Sequence, residues 1–158
     1  MSEISDAIQA KCLAFSDRII KLNDYLLEQA SLKYDVRGRK YERGSKQHQP
    51  SSVSHHTSRV PVHLQSVAVL CNQLLRAGTS IGANNAEATS AISKADFKSK
   101  SYIALKEARE SLYWLDLLHR NGYLTDKQHA SLYNDCEELV KILVTRCKKI
   151  NAELEDKK

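Results

Sequence analysis

Apolar residues recur at alternating steps of three and four through four separate stretches of this 158-residue chain, and that spacing commits it to helices. The first stretch, about 3–31, carries Ile4, Ile8, Cys12, Phe15, Ile19, Leu22 and Leu26. The second, about 64–90, carries Leu64, Val67, Leu70, Leu74, Ile81 and Ala88. The third, about 94–120, runs through Phe97, Ala104, Ala108, Leu112, Leu115 and His119, and the fourth, about 126–154, through Leu132, Cys136, Leu139, Leu143, Cys147, Ile150 and Leu154. Local signals mark the ends. Ser93 with Asp96 and Thr125 with Gln128 have capping-box spacing, and Asn121-Gly122 supplies a left-handed stop. Only 5 glycines and 2 prolines punctuate the chain, which argues against a β-sandwich or barrel. The expected fold is all-α: one antiparallel, up-down four-helix bundle occupying 1–158 as a single domain.

Residues 33–63 break the pattern. They hold both prolines, four of the six histidines, and seven Lys/Arg against two Asp/Glu, so they account for the entire formal net charge of +5. With only Val and Tyr as larger apolar residues, the stretch cannot bury enough surface to offset its ordering entropy, and it is expected to be a long, mobile, basic loop between helices one and two. Arg37, Arg39, Lys40, Arg43 and Lys46 are its candidate nucleic-acid contacts.

Patterns that carry catalysis are missing. The four cysteines form no Cys-x-x-Cys pair and lie on or beside apolar stripes, as small buried hydrophobes do. His48, His55, His56 and His63 lack the fixed spacing of a tetrahedral metal site. A di-iron bundle needs two Glu-x-x-His motifs, and the chain offers a single Asp-x-x-His from Asp116 to His119. There is no glycine-rich phosphate loop and no Gly-x-Ser-x-Gly elbow. The chain is expected to be no enzyme and to hold no metal or cofactor. Without an export signal or an apolar run of about 18 residues, it is expected to be cytoplasmic and off the membrane.

Helix three has two features of its own. At about 100° per residue, Lys94, Lys98, Tyr102, Lys106, Arg109 and Tyr113 share one band. Cations interleaved with rings suit an RNA or DNA backbone, although an ordinary solvated face has the same composition. Ile103, Trp114 and Leu118 fall away from the core stripe and form a second apolar face, for which self-association is the natural partner. Helix two adds to that expectation. Between Leu64 and Ile92 it carries only Arg76 and Glu87 as charges, and Gly78, Gly82, Ala83 and Ala86 allow close approach of another backbone.

Two blocks, LRAGTSIGANNAEA (Leu75 to Ala88) and SKADFKSKSYIALKEARESLYWLDLL (Ser93 to Leu118), carry a family resemblance. The chain resembles the small four-helix-bundle proteins encoded in intervening sequences of bacterial 23S ribosomal RNA, and is similar to the accessory variability determinant of diversity-generating retroelements. The likeness covers 64 to about 150, with FSDRIIKL (Phe15 to Leu22) fitting more loosely. It implies a ring-forming homo-oligomer, typically a pentamer. For the retroelement branch it implies binding to nucleic acid and a partner reverse transcriptase; for the ribosomal branch it implies no established activity. The matching positions are Arg76, Gly78, Ser80, Ile81, Gly82, Asn84, Glu87, Ala104, Glu107, Ala108, Glu110, Tyr113 and Trp114. Among them Arg76, Asn84, Glu87 and Glu107 are expected to form a polar network between helices two and three. The resemblance implies a short turn between the first two helices, as is usual in the family, so the 33–63 insertion is a departure from it.

Overall fold

The computed structural model describes residues 3–32 and 62–155, with side chains from 5 to 32, from 65 to 153 and at 155. Four helices account for nearly all of them: α1 Glu3–Leu32, α2 Val62–Thr89, α3 Lys94–Arg120 and α4 Asp126–Glu155. Each packs on the next and α4 returns to α1, while the diagonal pairs do not meet, which makes a square bundle. Contacts run in opposite senses along each neighbouring pair. Lys11 with Glu138 and Arg18 with Asp135 set α1 against α4, and Cys136, whose thiol donates to the Ala108 carbonyl, sets α4 against α3. The antiparallel up-down bundle expected from the spacing is the fold. The loop expected at 33–63, with its five candidate cations and three of its four histidines, lies outside the described residues, except that α2 takes 62 and 63 as its first two.

The caps act as their spacing requires. The Ser93 hydroxyl accepts from the Asp96 amide at 3.1 Å, while the Asp96 carboxylate accepts from Ile92, one residue further back than the usual partner. Thr125 and Gln128 cap α4 reciprocally, at 3.3 and 3.0 Å. Gly122, at φ 74°, closes α3 in the left-handed conformation, with its amide on His119 and that of Tyr123 on Leu118.

The core follows the expected stripes on α1, α2 and α4, from Ile8 through Leu26, from Val67 through Ala88 and from Leu132 through Ile150. Two glycines set the spacing of α1 and α2. A Cβ on Gly78 would stand 3.1 Å from Ile19 Cγ1, and one on Gly82 would stand 3.3 Å from the Cys12 Cβ. On α3 the stripe is rotated. Its buried positions are Ser101, Ala104, Leu105, Ala108, Ser111, Leu115 and Leu118, so two serines stand inside where a purely apolar count overlooks them. Leu118 is therefore corrected: it is fully buried in the core, one turn beyond Leu115, and contributes nothing to an outer face.

All four cysteines are free and buried. Burial pushes the Cys12 and Cys71 thiols up to about 11 and Cys136 to about 12, and raises Cys147 as well. Thiolate, the reactive form, is therefore scarce at pH 8. Folded protein is expected to leave an aromatic disulfide reagent unreacted over minutes at that pH, and urea-unfolded protein to release four equivalents at once. Rapid reaction of any thiol in the native state would contradict this placement.

Candidate functional site

The outer face of α3, with the neighbouring turn of α2, is where the matched polar and aromatic residues converge. Ser93 starts the helix in a register that puts Ile103, Glu107, Glu110 and Trp114 on successive turns. Trp114 is half-buried and packs on the core edge, and its indole N–H donates to Glu110 Oε1 at 3.0 Å. The same oxygen lies 3.7 Å from Arg76 Nη2, so one carboxylate orients both an indole and a guanidinium. Tyr113 meets the indole edge-on at 4.9 Å and is 59% exposed. Glu107 completes the patch; partial burial and then the nearby Glu110 charge raise its carboxyl above the usual range. These side chains form a surface rather than a cleft, with the indole oriented by Glu110 and a tyrosine ring and a guanidinium exposed beside it. That arrangement suits contact with another macromolecule.

The four-residue network expected between α2 and α3 does not form as one unit. Arg76 pairs with Glu110, and Glu87 pairs with Lys100 from the neighbouring helix. Asn84 turns back to its own helix, donating to the Ser80 carbonyl at 2.9 Å. Arg76 and Glu87 have side chains 70% and 55% exposed, so neither is a buried charge in need of a shared network. The buried asparagine is the next residue. Asn85 is fully enclosed, donates to Gln9 Oε1 at 2.5 Å and accepts from Arg146 Nη1 at 2.7 Å. Arg146 also lies over the Phe97 ring, 5.7 Å from its centre, and burial lowers its basicity. A polar crosspiece thus ties α1, α2 and α4, with α3 contributing the ring. No periodicity reveals it, since Gln9, Asn85 and Arg146 read in sequence as solvated positions.

The basic band of α3 is only partly available. Lys94 is 3.4 Å from Glu153, Lys98 lies over the Tyr102 ring, and the Tyr102 hydroxyl accepts from Asn151 at 2.8 Å. Lys106 and Arg109 are exposed and make no ion pair among the described residues. At the opposite end of the bundle His119 and His129 stack at 4.3 Å, one on Asp126 and the other on Asp116, each at 2.8 Å. Among the described residues no group of three or more His, Cys, Asp or Glu is placed to hold a metal ion, and no helix is long and apolar enough to cross a membrane.

The model of the 23S rRNA-intervening sequence protein family matches residues 51–145, more than half of the chain. The chain belongs to that family. It is also similar to a crystal structure from Bacteroides thetaiotaomicron VPI-5482, a protein with unknown function from the S23 ribosomal protein family. The two share 35% identity with a TM-score of 0.67, over 91% of this chain and 97% of the other. Among curated proteins there is no match. What the family match names is the ribosomal branch of the resemblance. The matched span contains Arg76, Glu107, Glu110, Tyr113 and Trp114, the residues that the structure gathers on one face.

Proposed function

We propose that this protein is a non-catalytic helical scaffold that works by assembling with copies of itself through the outer face of α3, in a structural and protein-interaction role. The carrying observation is Trp114. A half-buried indole locked by Glu110, beside a tyrosine left 59% exposed, is a pre-ordered contact that loses little side-chain entropy when covered. The resemblance adds a ring of five as the specific form. Light scattering on the full chain is the test. Wild-type protein should have a mass several times 17.9 kDa, and Trp114→Ala should fall to about that of one chain. A monomeric wild type, or an alanine variant that keeps the wild-type mass, overturns the reading.

Lys106 and Arg109 favour a second reading, in which the assembly binds RNA or DNA, and in its finer form serves a reverse transcriptase as accessory. Cations repeated around an assembly raise the local charge density, and phosphate binding then releases counterions. The expected result is affinity for a single-stranded RNA that drops at least about tenfold between 50 and 200 mM salt, and drops again in Lys106→Glu/Arg109→Glu. Absent or salt-independent binding removes this reading.

A further inference from the structure

A second surface lies away from the Trp114 patch. The start of α1, the α2–α3 connector and the C-terminal half of α4 enclose a groove of about 1090 Å³, opened where α1 and α4, the least packed neighbours of the bundle, part from each other. Ile8, Ala88, Phe97, Ile142 and Ile150 line it. Along α4 the lining runs from Lys141 to Glu153, about 18 Å of helix, or roughly three turns. The lip is Ile92, 96% exposed, the most exposed large apolar side chain among the described residues. Its backbone is anchored: the Ile92 amide donates to Asp96, the Ala91 amide to the Ala88 carbonyl, and Ser93 caps α3 immediately after. An isoleucine held out of the core on a fixed turn, at the edge of an apolar groove, is placed to be covered by something else.

Charge selects the occupant. Lys94, Lys141, Arg146 and Lys149 border the groove. Lys94 pairs with Glu153, Lys141 with Glu137 and Arg146 with Asn85, which leaves a net positive rim with Lys149 its one cation without a side-chain partner among the described residues. The chain's own 33–63 segment carries a net charge of the same sign as this rim, so charge complementarity does not favour it as the occupant. A phosphate backbone has no apolar surface with which to cover Ile92, and the one aromatic lining residue, Phe97, already has Arg146 over its face. An apolar stripe flanked by carboxylates therefore fits the groove better than a nucleic acid. We infer that the groove docks an acidic amphipathic helix of a different protein. Its apolar stripe covers Ile92 and the part of Ile142 left outside the core, and its carboxylates meet Lys149 at the rim. The inference is independent of assembly through α3.

The test uses full-length protein and a fluorescein-labelled 18-residue peptide, with Leu at helical i, i+3, i+4, i+7 spacing and Glu on the opposite face. Saturable binding by anisotropy is expected, weakening with added salt. A peptide with Lys in place of each Glu should not bind. Ile92→Glu, which alters a solvent-facing side chain and leaves the core untouched, is expected to weaken binding about tenfold. Lys149→Glu is expected to weaken it severalfold, with the helical circular dichroism of both variants unchanged. The proposal is overturned by no binding of the acidic peptide, by equal binding of the Lys peptide, or by indifference to Ile92→Glu. Displacement of the peptide by a single-stranded RNA of similar length would assign the groove to nucleic acid instead. A drop in native mass on Ile92→Glu would assign it to a second copy of this chain, and either result defeats the proposal.

Discussion

Replacing Asn85 with alanine is expected to lower the unfolding free energy by about 2–3 kcal/mol, because it strands two partners at once. Gln9 loses its donor, and the Arg146 guanidinium loses its acceptor while remaining partly withdrawn from water. For a chain of this size the thermal midpoint should drop by roughly 5–10 °C. Asn84→Ala is the internal control. It removes only a hydrogen bond to its own helix and should stay within about 0.5 kcal/mol of wild type. Replacing the Asn85–Arg146 pair by apolar groups, Asn85→Leu with Arg146→Met, should recover the part of the loss that comes from the stranded guanidinium, since a buried polar pair costs desolvation that an apolar pair does not. Urea denaturation of the four proteins measures this. Equal stability of Asn84→Ala and Asn85→Ala would show that the crosspiece contributes nothing.

The second large effect belongs to Gly78. Glycine in a helix interior is about 1 kcal/mol worse than alanine, so propensity alone favours replacing it. Packing points the other way. The Cβ of any replacement meets Ile19, a β-branched side chain that is fully buried and stiff about χ1. Gly78→Val is expected to cost about 2–3 kcal/mol, measured by urea unfolding, and Ile19→Ala in that background should return part of it. Gly122 gives the contrast. A Cβ there meets nothing within 4 Å, so Gly122→Ala should cost only the left-handed backbone penalty of about 1 kcal/mol. If Gly78→Val proves as stable as wild type, α1 and α2 do not depend on that close approach.

These two residues also mark how far the sequence is readable. Gly78 stands in a charge-poor, glycine-bearing helix, and that local composition already calls for a close neighbour. Which neighbour, Ile19, appears only when α1 is laid beside α2. Asn84 and Asn85 are indistinguishable in sequence, and a rotation of 100° decides which one is sealed inside. The face bearing Trp114 was legible because its members repeat along one helix and lie in the resembling blocks. Leu118 falls on the core side rather than the outer face because Ser101 and Ser111, polar by type but buried here, shift the interior stripe of α3. Arg146 gives no signal in the sequence, since an isolated cation on a helix normally points to water, and its acceptor lies 61 residues away.

Four helices, their caps, most of the core and membership of the intervening-sequence family are written in the order of the residues. Those properties rest on spacings of three and four, on cap chemistry and on ordered blocks, all local to one segment. The rotation of α3, the burial of Asn85 with Arg146, and the groove beneath Ile92 arise only in the packed bundle. Each of these depends on which surfaces of separate helices face one another, and that is fixed by packing the bundle as a whole.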